Sequence, residues 1–291
     1  MSNLDEQALL IRFLRGLNAC SDARSLVAAL IELARAYRLK GVVQVRLPVP
    51  PLSFTQRVAQ MNAGLARLPS EACETHFPSH ENRIGSVFHH GLSELMEHPR
   101  DVVRLFDVLM SIEPNLRGEV NLGDLMGLAA LMTKAPNVFS LLRSTPQAFV
   151  GRRPGTQDSM KKPEEVIDRF SSDRESAINA CGNPAAVQEL VHWLFPKTAK
   201  ADKAFTFDRV VFTEGHLGHP DRLSVALQMS AGRGDVSLVK VRRFVFQPSE
   251  REAIAADLDE QGCEEFLDYL AATLEALGED VEIDSETLCI A

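Results

Sequence analysis

The sequence predicts a mainly α-helical fold with a few short strands. Apolar residues recur every three or four positions through much of the 291-residue chain, the spacing that places them on one face of a helix. The composition is 45% hydrophobic and only 6% aromatic, and the abundant leucine and alanine favour helix. Proline or asparagine, which start helices, precedes several of the apolar runs. The length allows one or two domains with a sizeable core, so disorder is excluded as the dominant state.

The first fifty residues predict two amphipathic helices and one strand. Apolar residues recur at helical spacing over residues 9–17 and 26–34. Residues 42–47 are β-branched and partly alternating, and the prolines within residues 48–51 end this run. The run is the strongest strand signal in the chain.

Residues 53–68 predict a further helix, whereas residues 69–90 are polar, rich in histidine and rich in helix breakers, and predict a loop. Pro99 is suited to the first turn of the next helix, which should end before Pro114. Its predicted core positions are Val102, Val103, Leu105, Phe106, Leu109 and Met110.

Two more helices are predicted before residue 150. Asn121 is a good N-cap for the first of them, and Asp124 in its first turn favours the helix dipole. Pro136 opens the second. The predicted packing positions of this pair are Leu125, Met126, Leu128, Ala129, Met132, Val138, Phe139, Leu141 and Leu142.

Residues 151–163 lack hydrophobic periodicity and predict a linker. The chain is thus divided into N-terminal helices at 1–40, a strand and helical region at 41–150, and a mixed helical domain with an acidic tail at 151–291. In the last region Asp235 is the predicted cap of one helix. The predicted elements there are helices at 164–180 and 185–195, strands at 205–207 and 223–225, a helix carrying Val239, Val241, Phe244 and Val245, and two helices from Pro248 onwards.

The charge of the chain is unevenly distributed. Of the net charge of -9, residues 249–291 carry -13, because fourteen acids there face the single base Arg251, and residues 1–248 carry +4. Nucleic-acid binding needs clustered lysine and arginine, so no nucleic-acid partner is predicted. The acidic tail is either a solvated helical face or a docking surface for a basic partner.

The five cysteines are odd in number and contain no CxxC pair, a pattern typical of a reduced cytoplasmic chain. The N-terminus is acidic where a signal peptide would be basic, and no apolar run approaches the roughly 20 residues that span a bilayer. We therefore expect a cytoplasmic protein without a membrane span.

The sequence contains none of the common catalytic motifs G-x-x-x-x-G-K-[ST], GxGxxG, GxSxG and HExxH, so no catalytic residue is predicted. Cys73, His76 and His80 have ligand types that zinc accepts, but a second cysteine pair is missing. They are weak metal candidates, and an exposed polar loop is the simpler interpretation. The tripeptide Arg233–Asp235 is interpreted as a turn before a helix.

Part of the chain resembles the KAP family of P-loop NTPases. The most specific features are P-R-D-V-V-R-L at residues 99–105 and G-E-V-N-L-G-D-L at residues 118–125. The matching segments, in family order, are residues 43–51, 98–105, 118–125 and 146–151, with weaker similarity at 219–223 and 234–237.

The resemblance implies a helical lid that follows a nucleotide-binding core in this family. The Pro-Arg pair that opens a lid helix resembles the sensor arginine of related ATPases, so Arg100 would face the γ-phosphate. Arg104 lies one turn further on and is the second candidate for sensing nucleotide. Guanidinium groups suit this task because they stay charged and present a planar fork to phosphate oxygens.

The family's phosphate-binding loop, magnesium-binding strand and membrane-spanning insertion have no counterpart in this sequence. The leading hypothesis is therefore a truncated or split KAP-type protein, a lid and C-terminal regulatory module in a phage-defence or membrane-linked assembly. It would bind no cofactor alone, and ATP with Mg²⁺ only if a partner polypeptide supplied the P-loop core. The alternative is a non-catalytic helical protein-interaction module.

Overall fold

The computed structural model describes residues 51–73, 77, 80–151, 163–199, 213–229, 236–258 and 260–277, together with Ala28, Ile31, Arg35 and Pro50. The chain separates into two compact units, residues 1–50 and 51–291. In the first unit, the three described residues before Pro50 are helical. The strand predicted at residues 42–47 lies outside the described residues.

The second unit is mainly α-helical, as predicted, and its described residues contain no strand. Four short turns interrupt the helices: 3₁₀ turns at Ser70–Cys73, Pro196–Thr198 and Pro248–Glu250, and a π-turn at Phe88–Leu92 that continues into the single turn Ser93–Leu95. The helices are α1 Phe54–Leu65, α2 His80–Val87, α3 Pro99–Leu116, α4 Leu122–Lys134, α5 Pro136–Ser144, α6 Gln147–Val150, α7 Pro163–Arg169, α8 Ser171–Asn179, α9 Pro184–Leu194, α10 Pro220–Gln228, α11 Leu238–Phe246, α12 Arg251–Ala256 and α13 Glu260–Leu277.

Helix α4 is the centre of the main core. Every residue from Leu122 to Leu131 is buried, which is expected of a helix that is apolar on all sides. Helices α2 and α3 pack against α4, α1 packs on α3, and α9 packs against the π-turn. A second, smaller cluster joins α11 to α13, where the rings of Phe244 and Phe266 lie 5.2 Å apart.

The local helix-start signals are confirmed. Helix α3 begins at Pro99, and α5 begins at Pro136. The Asn121 side chain caps α4 by accepting a hydrogen bond from the backbone N–H of Gly123 at 3.0 Å. Phe106 and Leu109 are 1% and 0% exposed, so the predicted helix phase is also confirmed.

Two details of α3 were predicted wrongly. The helix does not end before Pro114 but continues to Leu116. Pro114 is exposed in the last turn. Proline has no backbone N–H to donate to the carbonyl four residues earlier, and the helix ends two residues beyond it. Val103 was predicted in the core and is 45% exposed, because it lies beside the buried stripe that contacts α4 and α1.

The loop predicted at residues 69–90 is also wrong, because this segment contains a 3₁₀ turn, α2 and most of the π-turn. The sequence of α2 is polar, so its periodicity gives no helix signal. Its place in the fold comes from packing on α4 and from the ion pair between Arg83 and the buried Asp124. Tertiary contacts override local preference here.

The strand predicted at residues 223–225 is helical and belongs to α10. Alternation over three residues is too short to distinguish a strand from a helix whose two faces are both buried. The strand predicted at 205–207 and the linker residues 152–162 lie outside the described residues. Ser237, not Asp235, caps α11, with its Oγ 3.2 Å from the backbone nitrogen of Lys240.

Within the described part of the chain, no single helix has the length and apolarity needed to cross a membrane. Helices α4 and α5 are long and apolar enough only when they are taken together, and the chain bends by 114° between them.

Candidate functional site

The π-turn at Phe88–Leu92 brings α2 and α9 close together. It contains two residues with non-helical backbone angles, His90 at φ -96° and ψ 68°, and Gly91 at φ +86°. A Cβ atom on Gly91 would lie 2.2 Å from the carbonyl oxygen of Ala186 on α9. Glycine is therefore required here both for the left-handed conformation and for the close approach.

A groove of about 460 Å³ lies between the π-turn and α9, and we call it the π-turn groove. Its volume is in the usual range of ligand sites. The His90 ring lies over the Trp193 ring at an interplanar angle of 22°, with 6.3 Å between centroids. The groove is lined by His90, Ala185, Gln188, Glu189, His192 and Trp193.

Trp193, the single tryptophan of the chain, is held from two sides. Its indole N–H donates to the Oγ of Ser86 at 2.9 Å. The guanidinium carbon of Arg83 lies 4.1 Å from the indole ring centroid, a cation–π contact. Arg83 and Ser86 lie one turn apart on α2. Their contacts therefore fix the orientation of the indole ring that forms one wall of the groove.

The electrostatics of the groove favour a cationic ligand. Of the described residues that line it, Glu189 is the one that carries a carboxylate, which is about half exposed and lies 3.3 Å from Nδ1 of His90. Burial, with the nearby charge of Arg174, lowers the pKa of His192, which is therefore neutral at pH 7. The groove thus combines one carboxylate, polar side chains and an aromatic face.

Buried ion pairs join Arg83 to Asp124 beside the site, and Glu119 to Arg222 at the start of α11. The carboxylate of Asp124 is fully buried, and its Oδ1 accepts from Nε of Arg83 at 2.6 Å. Glu119 accepts from Nη1 of Arg222 at 2.9 Å, and the Arg222 side chain is 1% exposed. Buried charges require such partners because an unpaired charge is costly away from water.

The arginines predicted to sense nucleotide lie on the first turns of α3. Arg100 and Arg104 are both exposed. Among the residues that the structure describes, none forms an ion pair or hydrogen bond with either side chain. Asp101 instead lies 3.2 Å from Nζ of Lys134 and accepts from the backbone N–H of His98 at 2.9 Å.

The weak metal candidates are not tested by the structure. His76 lies outside the described residues, as do the side chains of Cys73 and His80. Elsewhere in the described part of the chain, no group of three histidine, cysteine or carboxylate side chains is arranged to hold a metal ion.

Sequence reasoning missed the π-turn groove. Residues 90 and 193 are distant in sequence, and residues 69–90 were interpreted as a loop. One local signal exists: Ala185, Glu189, His192 and Trp193 are spaced so that they share one face of the predicted helix at 185–195. A polar stripe that contains the single tryptophan could have indicated a binding face.

Comparison with known proteins does not identify a function for this groove. No protein-family model, no curated protein and no solved structure matches the chain. Fold and site together define the class, a mainly α-helical protein with an aromatic groove that carries one carboxylate.

Proposed function

We propose that this chain is a helical protein-interaction module and that the π-turn groove recognises a basic side chain of a partner protein. The observation that carries the proposal is the placement of Glu189 beside the paired rings of His90 and Trp193. An aromatic face and a carboxylate are the two groups that stabilise a guanidinium or ammonium ion.

One feature of the groove supports this ligand class. Burial lowers the pKa of His192 below its ordinary value, which favours its neutral form, so it does not repel a cation. Arg83 covers one face of the Trp193 ring, so a ligand would use the part of the indole that lines the groove. A ligand arginine or lysine would place its aliphatic stem against the indole and its charged end at Glu189.

The first test is a binding measurement with Trp193 as the reporter. Alanine–glycine nonapeptides with a central arginine, norleucine or glutamate are titrated against the full chain at pH 7.5. We expect the Kd of the arginine peptide to be at least about tenfold lower than that of the other two peptides. This ratio corresponds to a difference of about 1.4 kcal/mol in binding free energy. Glu189→Gln should remove that preference, since charge-assisted hydrogen bonds are worth about 1.5–3 kcal/mol.

The matched control is Glu252→Gln, which neutralises an exposed carboxylate on α12 that does not line the groove. This variant should keep the arginine preference of the parent. Equal affinity for the three peptides, or a preference that survives in Glu189→Gln, would contradict the proposal.

The second candidate function is the lid of a split KAP-type P-loop NTPase, within the phage-defence or membrane-linked setting that the resemblance implies. The observation that favours it is the exposure of Arg100 and Arg104, whose side chains bond to no other described residue. The hypothesis requires this arrangement, because the phosphate partner would belong to another polypeptide. An adjacent reading frame that contains G-x-x-x-x-G-K-[ST] would supply that core.

For this candidate we expect no ATP hydrolysis by the chain alone, and turnover when the P-loop core polypeptide is added with Mg²⁺. Arg100→Ala should then lower turnover by about tenfold or more, the scale of arginine contributions to phosphoryl transfer. Arg143→Ala, at an exposed arginine on α5, is the control. Turnover that is unaffected by Arg100→Ala would leave the interaction module as the better assignment.

A further inference from the structure

Arg83 connects the π-turn groove to a carboxylate in the core. Its Nε and Nη2 atoms both lie 2.6 Å from Oδ1 of Asp124. The same guanidinium lies over the Trp193 ring at 4.1 Å. Any change in the partner of Asp124 therefore alters the contact that Arg83 makes with the groove.

The other oxygen of Asp124 holds the segment that leads into α10. Its Oδ2 accepts from the backbone N–H of Leu217 at 2.7 Å. Two further bonds fix the same segment: the N–H of Asn121 donates to the carbonyl of Gly215 at 2.9 Å, and Arg242 donates to the carbonyl of Thr213 at 3.0 Å. We call residues 213–219 the α10 leader.

His216 lies in the α10 leader, directly before the residue that Asp124 holds. Its Nε2 atom is buried and bonds to no described residue. The charged groups that influence this imidazole are Asp124, which holds the next residue through the Leu217 N–H, together with Arg83 and Glu214. Burial is the largest influence and lowers the pKa of His216 to about 4, with Arg83 acting in the same direction and the two carboxylates opposing.

We propose that protonation of His216 releases the α10 leader from Asp124 and shifts Arg83 on Trp193, so that the leader and the groove respond to acid together. A protonated His216 adds a second cation beside Arg83, and both then compete for the buried carboxylate of Asp124. Since a buried imidazolium without a full partner is costly, the leader opens to water.

The sign of the pH dependence follows from linkage. The folded chain keeps His216 neutral down to about pH 4, whereas the imidazole of an unfolded chain is protonated near its ordinary value of 6.5. Between these two values the unfolded state binds more protons, so the free energy of unfolding falls as the pH is lowered. Proton uptake by His216 is unfavourable in the buried site and favourable once the imidazole reaches water. This difference also drives the local opening of the leader.

The test follows Trp193 emission and far-UV circular dichroism of the full chain from pH 7.5 to 3.5. The starting variant carries His90→Gln and His192→Gln, so that neither groove histidine titrates beside the indole. We expect an emission transition with its midpoint between pH 6.5 and about pH 4, the two pKa values of His216 in water and in the closed leader, with the helical circular dichroism signal retained. Adding His216→Gln should remove at least half of its amplitude.

Hydrogen exchange measured by mass spectrometry provides a second readout, which does not depend on the indole. At pH 4 the backbone amide of Leu217 should lose protection in the starting variant and keep it when His216→Gln is added. His216→Asn replaces His216→Gln if the latter does not fold. An emission transition that retains more than half of its amplitude without His216, or that coincides with loss of helix, would overturn the proposal.

Discussion

Glu119→Ala is expected to lower the free energy of unfolding by about 3–5 kcal/mol, the cost of removing one partner from a buried ion pair. The guanidinium of Arg222 would lose its carboxylate partner while remaining buried at 1% exposure. The bond that Arg222 makes to the carbonyl of Val236 is long, at 3.5 Å.

Glu119 also supplies the acceptors for the start of α11, which increases the expected loss. Its carboxylate accepts from the backbone N–H of Leu238 at 2.9 Å and of Val239 at 3.3 Å, and from the hydroxyl of Ser237. The first amides of a helix have no partner within the helix, and losing a capping acceptor costs about 0.5–2 kcal/mol.

Urea denaturation at pH 7 measures this effect. Glu94→Ala is the matched control, because Glu94 is exposed and the change should stay within about 0.5 kcal/mol of the parent. Glu119→Gln, which keeps an acceptor oxygen but loses the charge, should fall between the two variants. A loss below about 1 kcal/mol for Glu119→Ala would show that the pair contributes little to stability.

The second large effect is expected at the contact between α1 and α3. Phe106 is 1% exposed, and truncation to alanine should cost about 3–5 kcal/mol through lost burial and the cavity left behind. Its ring lies directly against Gly64, since a Cβ atom there would be 2.0 Å from Cε2 of the ring. The two helices are close because position 64 has no side chain.

A double-mutant cycle makes this prediction specific. Gly64→Ala alone should destabilise by about 1–3 kcal/mol, because the added methyl forces the Phe106 ring to move. In the Phe106→Ala background the same change should be neutral or stabilising, since alanine has the higher helix propensity and the ring is gone. Additive effects of the two substitutions would contradict the packing described.

Val103→Ala on the same helix is the control for Phe106→Ala, because Val103 is 45% exposed. Its thermal midpoint should lie within a few degrees of the parent. An equal loss for the two alanine variants would mean that the phase of α3 is wrong.

Local sequence signals were sufficient at the starts of α3, α4 and α5. Pro99 and Pro136 each occupy a first turn, and Asn121 caps α4 through its own side chain. These effects act within three or four residues, so a single sequence reveals them. The buried stripe of α3 was predictable for the same reason, because its spacing repeats along one helix.

The sequence by itself therefore determined the helical class, the starts of the central helices and the core positions Phe106 and Leu109. Only the tertiary structure decided the position of α2, the π-turn groove, and the pairing of Arg83 with Asp124 and of Glu119 with Arg222. The paired residues of these two bridges are 41 and 103 positions apart. No periodic pattern joins residues at such distances, because their interaction depends on how the helices pack and not on the local geometry of the backbone.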